Sequence, residues 1–160
     1  MKIFKRNLLL GAALLTISLS AMAGTQAKTE ASGSASINLP VTQLNYFDTG
    51  LRSENGVGTL QAASAHGDLQ HGAHGTFIKI PAGFVSDIHI HSGEYWAVVI
   101  AGVGVNGTPN SVDVPLPAGS FWSQKGGERH VTKCISSNEC IFFINQTVKF
   151  DDIKYYNKHN

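Results

Sequence analysis

The chain has 160 residues, of which 14% are charged, and a formal net charge of +1. Residues 1–23 hold three of the twelve Lys and Arg and none of the eleven Asp and Glu, so the other 137 residues carry nine against eleven, a net charge of −2. These 137 residues suit a single domain with a core of its own. Their slightly acidic balance excludes the basic surface that nucleic acids require, and we expect no nucleic-acid partner.

Residues 1–23 have the parts of a secretory signal peptide. Three basic residues precede an apolar stretch from Leu8 to about Leu19, and Ala21-Met22-Ala23 forms a cleavage sequence, although cleavage after Ala27 stays open. The apolar stretch is shorter than the roughly 20 residues of a membrane span, and no later stretch is long enough. We therefore predict a periplasmic or secreted protein that has no membrane association after cleavage.

Residues 24–38 are small and polar and predict a flexible leader. From residue 39 onward, short runs rich in Val, Ile, Phe, Tyr and Thr alternate with clusters of Gly, Pro, Asn and Asp, a pattern typical of strands and turns. We predict one domain over residues 39–157 and a tail over 158–160. No stretch of eleven residues has a convincing helical apolar period, so helix should be scarce.

Many short strands at regular spacing indicate an all-β sandwich or barrel. We find no internal repeat of useful length. The predicted strands lie near residues 41–48, 57–63, 74–80, 85–91, 94–101, 111–115, 119–124, 129–134, 140–146 and 148–155.

A Gly-rich segment, residues 64–75, contains His66, His71 and His74. Such a loop could be a second metal site, although histidines of this kind more often belong to a solvated loop. His74 begins the predicted strand 74–80, so it is also a candidate for the mouth of a barrel, beside a pocket.

His89 and His91 lie two residues apart in the predicted strand 85–91, so their side chains point the same way. At a Cβ separation of roughly 6.5 to 7 Å, two imidazoles can both reach one ion at about 2.1 Å. The spacing alone does not identify a metal site, since any strand with His-x-His has it.

The surroundings of these histidines resemble the first signature of the cupin superfamily. That signature is a Gly, five residues, His-x-His, three or four residues, a Glu, six residues and a Gly. Gly83, His89, His91 and Gly102 stand at these positions. The resemblance implies a cupin-type antiparallel β-barrel, also called a double-stranded β-helix or jelly roll, with little helix.

The second cupin signature is a Gly, five residues, Pro-x-Gly, two residues, a His, three residues and an Asn. Gly119, Gly127 and His130 match it, whereas Lys125 replaces the Pro and Cys134 replaces the Asn. The resemblance adds His130 to His89 and His91, and so implies one divalent metal ion per chain. Imidazole suits Fe, Mn, Zn, Ni and Cu, so the metal stays open.

The position of the expected Glu is the departure that matters for chemistry. Tyr95 occupies it, and Glu94 comes one residue early. A slip of one residue along a strand turns the side chain to the opposite face, unless Ser92-Gly93 forms a bulge. Glu94 is therefore a candidate fourth ligand, and Glu94 or Tyr95 is the candidate residue for handling protons.

The run from Gly67-Asp68 to Cys134 looks like a bacterial cupin-like family without an assigned function, which is similar to the metal-binding cupin domain of the ChrR anti-sigma factor. This resemblance spans about Leu39 to Asp152. It implies a fold, a metal site and a small-molecule ligand or substrate, and a possible homodimer, since cupins commonly pair. It implies no particular reaction.

Cys134 and Cys140 are separated by five residues, a spacing that suits the two arms of a hairpin. Paired cysteines persist as disulfides in an exported, oxidising compartment, so we predict that they are bonded to each other. Two free thiols or a metal-binding pair are the alternatives.

Other side chains could complete a pocket. Trp96, with Phe121 and Trp122, could wall it, although aromatic residues of small barrels are more often core. Gln124 could hydrogen-bond a water on the metal. Three basic residues could bind an anionic substrate, although scattered bases are ordinarily surface residues: Lys79, Lys125 and Arg129.

Two functions fit this sequence. The first is a metal-dependent enzyme, in which Fe or Mn would favour oxygenase-like chemistry and Zn or Ni would favour Lewis-acid chemistry. The second is a binding or sensing module that holds a metal or a ligand without turnover. Open coordination positions would favour the enzyme, and a closed tetrahedral site would favour the module.

Overall fold

The computed structural model describes residues 35–155. Residue contacts divide the chain into two units, Met1–Ser36 and Ile37–Asn160, and every element below lies in the second. The predicted signal peptide at 1–23 and tail at 158–160 lie outside the described residues, as does most of the predicted leader. The described end of that leader, 35–38, is exposed and has no regular secondary structure. Among the described residues no helix is long and apolar enough to cross a membrane.

Strands dominate the described part of the chain. A single 3₁₀ turn, Val41–Gln43, comes before them. The strands are β1 (Phe47–Arg52), β2 (Thr59–Gly67), β3 (His74–Ile80), β4 (His89–Ile90), β5 (Tyr95–Ala101), β6 (Val103–Gly107), β7 (Leu116–Pro117), β8 (Phe121–Gln124), β9 (Val131–Cys134), β10 (Cys140–Gln146) and β11 (Ile153–Lys154).

All strand pairs of the described residues are antiparallel, and they form three sheets. The largest has the order β1-β2-β3-β10-β5-β8, a second has the order β7-β6-β9, and β11 pairs with β4. The predicted antiparallel all-β architecture is thus confirmed. The sheets of the described residues do not close into the predicted barrel. The ladder is interrupted near β4, where the Asp87 carbonyl accepts hydrogen bonds from the side chains of Ser86 and His89.

Strict alternation along β5 separates the core from the outer surface. Tyr95, Ala97 and Val99 are buried, whereas the residues between them are exposed. The buried residues of β3 and β10 lie on the same face of the sheet, where Phe142 of β10 pairs with Ile78 of β3 on one side and with Val99 of β5 on the other. The inner face of the large sheet therefore forms the core, because successive side chains of a strand point to opposite sides.

Strands with clear boundaries were the easiest to predict. The limits of β3 and β10 agree with the predictions of 74–80 and 140–146, and β5, β8 and β9 begin within two residues of theirs. Each of these runs is rich in β-branched or aromatic residues and follows a turn.

Several strand predictions are wrong, too long or displaced, and the predicted strand 41–48 corresponds to a 3₁₀ turn at Val41–Gln43 followed by β1. Residues 111–115 form no strand, since Val112 is 90% exposed and Pro115 cannot donate a hydrogen bond to a ladder. The strand Val103–Gly107 was not predicted, and Gly102, at φ 78°, separates it from β5. The predicted strands 85–91 and 148–155 shorten to the two residues of β4 and of β11.

The predicted disulfide is confirmed, and it joins the end of β9 to the start of β10. Cys134 and Cys140 are both buried, with Cα atoms 5.7 Å apart. We expect replacement of both by Ala to lower the free energy of unfolding by about 2 kcal/mol, because the bond restricts the unfolded chain. Urea unfolding measures this, with reductant added to the wild type as the control. A double variant as stable as the oxidised wild type would contradict it.

Candidate metal centre

The backbone brings His89 and His130 face to face, although 40 residues separate them in the chain. Their amides and carbonyls exchange two hydrogen bonds, at 3.2 and 3.1 Å, in an isolated antiparallel bridge. His91 follows β4, and its carbonyl accepts a hydrogen bond from the amide of Gly127 at 2.8 Å. The three predicted ligands thus come together, and all three side chains are buried.

The protonated nitrogen of two of these rings is fixed by a local hydrogen bond. Nδ1 of His89 lies 2.8 Å from the carbonyl of Asp87, and Nδ1 of His130 lies 3.1 Å from that of Glu128, in each case two residues earlier. Because a carbonyl oxygen only accepts, each Nδ1 must donate. In a neutral imidazole the other nitrogen, Nε2, then carries a free lone pair.

The C-terminal segment orients the third ring in the same way. Nδ1 of His91 donates to the carbonyl of Asp151, whose carboxylate accepts a hydrogen bond from the amide of Ser92 at 2.9 Å. The ring of Phe150 lies 5.2 Å from that of His91. All three Nε2 atoms are therefore left for another partner, and such hydrogen bonds at the opposite nitrogen are typical of metal-ligating histidines.

The three rings converge tightly. One ligand nitrogen from each lies within 4.8 Å of the other two, and the centroids of His89 and His130 are 4.1 Å apart. Nε2 of His130 is buried and has no hydrogen-bond partner within residues 35–155. Burial and the neighbouring His89 lower the pKa of His130 to about 3, and burial lowers that of His91. Converging lone pairs on neutral rings fit a metal ion, which would partner all three.

A family model covers the part of the chain that contains this site. Residues 46–154 match the model described as a domain of unknown function, DUF4437. The chain belongs to the DUF4437 family. No curated protein matches it.

Solved structures share the fold of this DUF4437 domain. The polyketide cyclase RemF from Streptomyces resistomycificus has a TM-score of 0.62 and 11% identity, over 78% of this chain and 89% of RemF. An RmlC-like cupin from Ralstonia eutropha scores 0.59 at 18% identity, over 79% and 76%. A predicted oxalate decarboxylase from Thermotoga maritima scores 0.56 at 20% identity, over 70% and 99%. The predicted cupin fold is thus confirmed, and the closer resemblance to ChrR stays a prediction.

A cavity of about 190 Å³ opens beside the histidines of the DUF4437 domain. His89, His91 and Tyr95 line it, together with acidic and basic groups toward the ends of β1 and β11. Most of its wall is apolar, formed by Leu60, Ile78, Ile80, Trp122, Phe142 and Ile144. A ligand of the three imidazoles would therefore lie largely against hydrocarbon and aromatic groups.

The predicted carboxylate does not join the histidines. Glu94 is exposed and lies outside the cluster, because it precedes β5 with the opposite orientation to Tyr95. Tyr95 points inward instead, with its ring 5.2 Å from that of His91. Its hydroxyl accepts a hydrogen bond from Nε1 of Trp122 at 3.4 Å, and burial raises its pKa to about 12. At neutral pH, Tyr95 is therefore a hydrogen-bond donor rather than a base.

Gln124 supports the site without lining the cavity. Its Nε2 donates to the carbonyl of Glu128 at 3.2 Å, the same oxygen that accepts from His130. Its Oε1 accepts from Asn106 at 2.8 Å, and Asn106 in turn accepts from the hydroxyl of Thr132 at 2.9 Å. Gln124 thus fixes the turn that carries His130, whereas the sequence suggested contact with a metal-bound water.

The structure places His74 and two aromatic candidates away from the cavity. Nδ1 of His74 accepts from Thr76 at 2.8 Å, and its Nε2 donates to Gln146 at 3.2 Å, so it is a satisfied core residue. Trp96 and Phe121 lie on the outer face of the large sheet, 36% and 59% exposed. They belong neither to the core nor to the cavity wall, whereas Trp122 belongs to both.

The remaining predicted candidates do not form sites. His66 and His71 join no metal-binding group among the described residues, and His71 instead contacts Asp68 at 2.8 Å. None of the three basic candidates lines the cavity. Lys79 lies over the ring of Tyr46, and Arg129 lies over the ring of Tyr155. Lys125 is exposed.

Sequence reasoning missed the segment from Phe150 to Asp152, which supplies the carbonyl for His91 and an acidic side chain to the cavity. The adjacent pair Asp151-Asp152 was a usable signal, since acidic residues stand beside metal sites. The carbonyl contact had no signal, because every residue has a carbonyl.

Proposed function

We propose that this protein is a metal-dependent enzyme that acts on a small, largely apolar molecule, with the ion held by Nε2 of His89, His91 and His130. The observation that carries the proposal is the common orientation of the three rings. Each Nδ1 donates to a backbone carbonyl, and the three remaining nitrogens converge beside one cavity, which His89 and His91 line. A set of core histidines packed for stability alone would have no reason to leave three lone pairs facing one another.

The number of ligands supports catalysis over a closed structural site. No carboxylate of residues 35–155 joins the three imidazoles, and three protein ligands are the pattern of catalytic metal sites, which keep a position for water or substrate. When bound, the ion would act as a Lewis acid or activate water or oxygen. Which of Fe, Mn, Zn, Ni or Cu is held stays open, since imidazole suits them all.

The chain's own groups would then position the substrate and limit water. Tyr95 keeps its proton at neutral pH, because burial raises its pKa to about 12, and its hydroxyl contacts Trp122 and Thr132 in the lining of the cavity. The apolar wall of Ile78, Trp122 and Phe142 excludes water from one side of the cavity. In a poorly hydrated cavity such polar contacts are stronger than in water.

One further observation supports an enzymatic role, and another supports the predicted location of the protein. RemF is described as a polyketide cyclase, so the fold carries an enzyme in another protein, although the fold alone does not transfer its reaction. The Cys134–Cys140 disulfide supports an exported, oxidising location, in agreement with the predicted signal peptide.

Turnover by the metal-loaded protein tests the proposal. We would load the purified chain with each of the five metals and offer small phenols, enols and carbonyl compounds, following oxygen uptake and product masses. We expect at least one compound to be converted by the wild type and not by His91→Ala. Binding of a compound without conversion would favour a binding or sensing module. A wild type that neither retains metal nor binds any compound would overturn the proposal.

A further inference from the structure

Two buried side-chain atoms have no hydrogen-bond partner among residues 35–155, and both belong to this site. One is Nε2 of His130 and the other is Oδ1 of Asp152. An unsatisfied buried polar group costs about 1–3 kcal/mol, and more when it is charged, so proteins rarely leave one without a purpose. The proposed metal ion would bind Nε2 of His130, whereas the carboxylate of Asp152 requires a partner of its own.

The backbone on both sides of Asp152 is fixed to the histidine strand. The preceding carbonyl, of Asp151, accepts the hydrogen bond from His91, and the following strand, Ile153–Lys154, pairs with His89–Ile90. The side chain of Asp152 lines the same cavity as the histidines and interacts electrostatically with His91. Its carboxylate is therefore held beside the cluster by structure and does not lie there by chance.

The other carboxylates near the cavity already have partners. Asp87 is paired with Lys154, and Asp151 accepts a hydrogen bond from the amide of Ser92. Asp152 is also outside the close group of ligand atoms formed by the three histidines. It is thus placed to contact what the cavity holds, and it is not placed as a fourth member of the tight ligand set.

We propose that Asp152 is a substrate-contacting residue, whose carboxylate accepts a hydrogen bond from an O–H or N–H group of the molecule bound beside the three histidines. This inference rests on the proposed function and narrows its substrate. The carboxylate requires a donor, whereas the apolar lining, which includes Leu60, Ile78, Trp122 and Ile144, requires an apolar body. The ligand class is therefore a small, mostly apolar alcohol, phenol, enol or amine, and a bare anion directly beside the Asp152 carboxylate is disfavoured by its negative charge.

Two probes, one with a hydrogen-bond donor and one without, test this assignment on the Co(II)-loaded protein. The visible spectrum of this protein changes when a ligand binds near the metal. Phenol offers an O–H donor on an apolar ring, and azide is an anion without a donor. Asp152→Asn keeps the shape of the side chain and removes its charge. We expect it to weaken phenol binding about tenfold, because a neutral amide oxygen is a weaker acceptor than a carboxylate, and to strengthen azide binding.

Glu94→Gln is the matched control, because it removes an equal charge from an exposed position outside the cluster. It should bind both probes as the wild type does. A general loss of structure in Asp152→Asn would weaken both probes, so the opposite changes identify the contact. Equal binding by Asp152→Asn and the wild type would overturn the assignment, as would a wild-type spectrum that neither probe changes. If His130→Ala binds as much Co(II) as the wild type, the proposed function itself fails.

Discussion

Replacing His130 by Ala is expected to abolish retention of the proposed metal ion. This side chain is the most deeply buried of the three proposed ligands, and no group of residues 35–155 is a hydrogen-bond partner of its Nε2. Loss of groups around a ligand already weakens metal binding by about 10 to 100-fold, so loss of a ligand should exceed that range. Metal analysis after dialysis, together with calorimetric titration, measures the change.

A second buried histidine provides the control for this experiment. His74 is as buried as His130, but its two nitrogens are satisfied by Thr76 and Gln146. His74→Gln should retain its metal even where it lowers stability. A chelator should lower the melting temperature of the wild type and of His74→Gln, since an ion that binds only the folded state stabilises it. The same chelator should leave His130→Ala unchanged, and equal responses of all three proteins would contradict a site at His130.

Replacing Phe142 by Ala should give the largest loss of stability, about 3–5 kcal/mol, because it leaves a cavity in a well-packed core. Phe142 is 1% exposed, and its ring lies 5.1 Å from that of Trp122. It also lines the cavity beside the histidines, so the loss would enlarge that cavity. Urea unfolding of the two proteins measures the difference in the free energy of unfolding.

The next residue in the strand is a control on the opposite face. Phe143 lies on the outer side of the large sheet, and its ring is 5.0 Å from that of Phe77. Phe143→Ala should therefore cost only about 1 kcal/mol, the range of an aromatic pair. Equal losses from the two variants would mean that the assignment of the strand's faces is wrong.

The parts of the site that depend on spacing could be predicted from the sequence. His89 and His91 share a face because strands have a period of two, and the second signature added His130 by its distance from Gly119 and Gly127. The same period decides between Glu94 and Tyr95, since only one of two adjacent residues in a strand can point inward. Ser92-Gly93 left this choice open in the sequence, and the structure brings Tyr95 to the site.

Other parts depend on tertiary packing and could not be predicted. The residues that orient the rings act through backbone carbonyls, which no side chain type reveals, as at Asp87 and Glu128. The outward position of Trp96 follows only once the packing shows that Tyr95 points inward, because adjacent residues of β5 face opposite sides. Asp152 reaches the cavity because the short strand β11 pairs with β4, a contact between distant segments.

Asp151, whose carbonyl accepts the hydrogen bond from His91, lies close to the end of the described chain. His89 and Asp87, the residue that supplies its carbonyl partner, lie near the middle of the sequence. A chain that ends before residue 151 would contain all three ligands and yet lack the group that sets the tautomer of one of them. During synthesis or refolding, the proposed ion would then be held about 10 to 100-fold more weakly until the C-terminal segment has docked. Metal affinity would therefore report completion of the fold, and not merely the presence of its histidines.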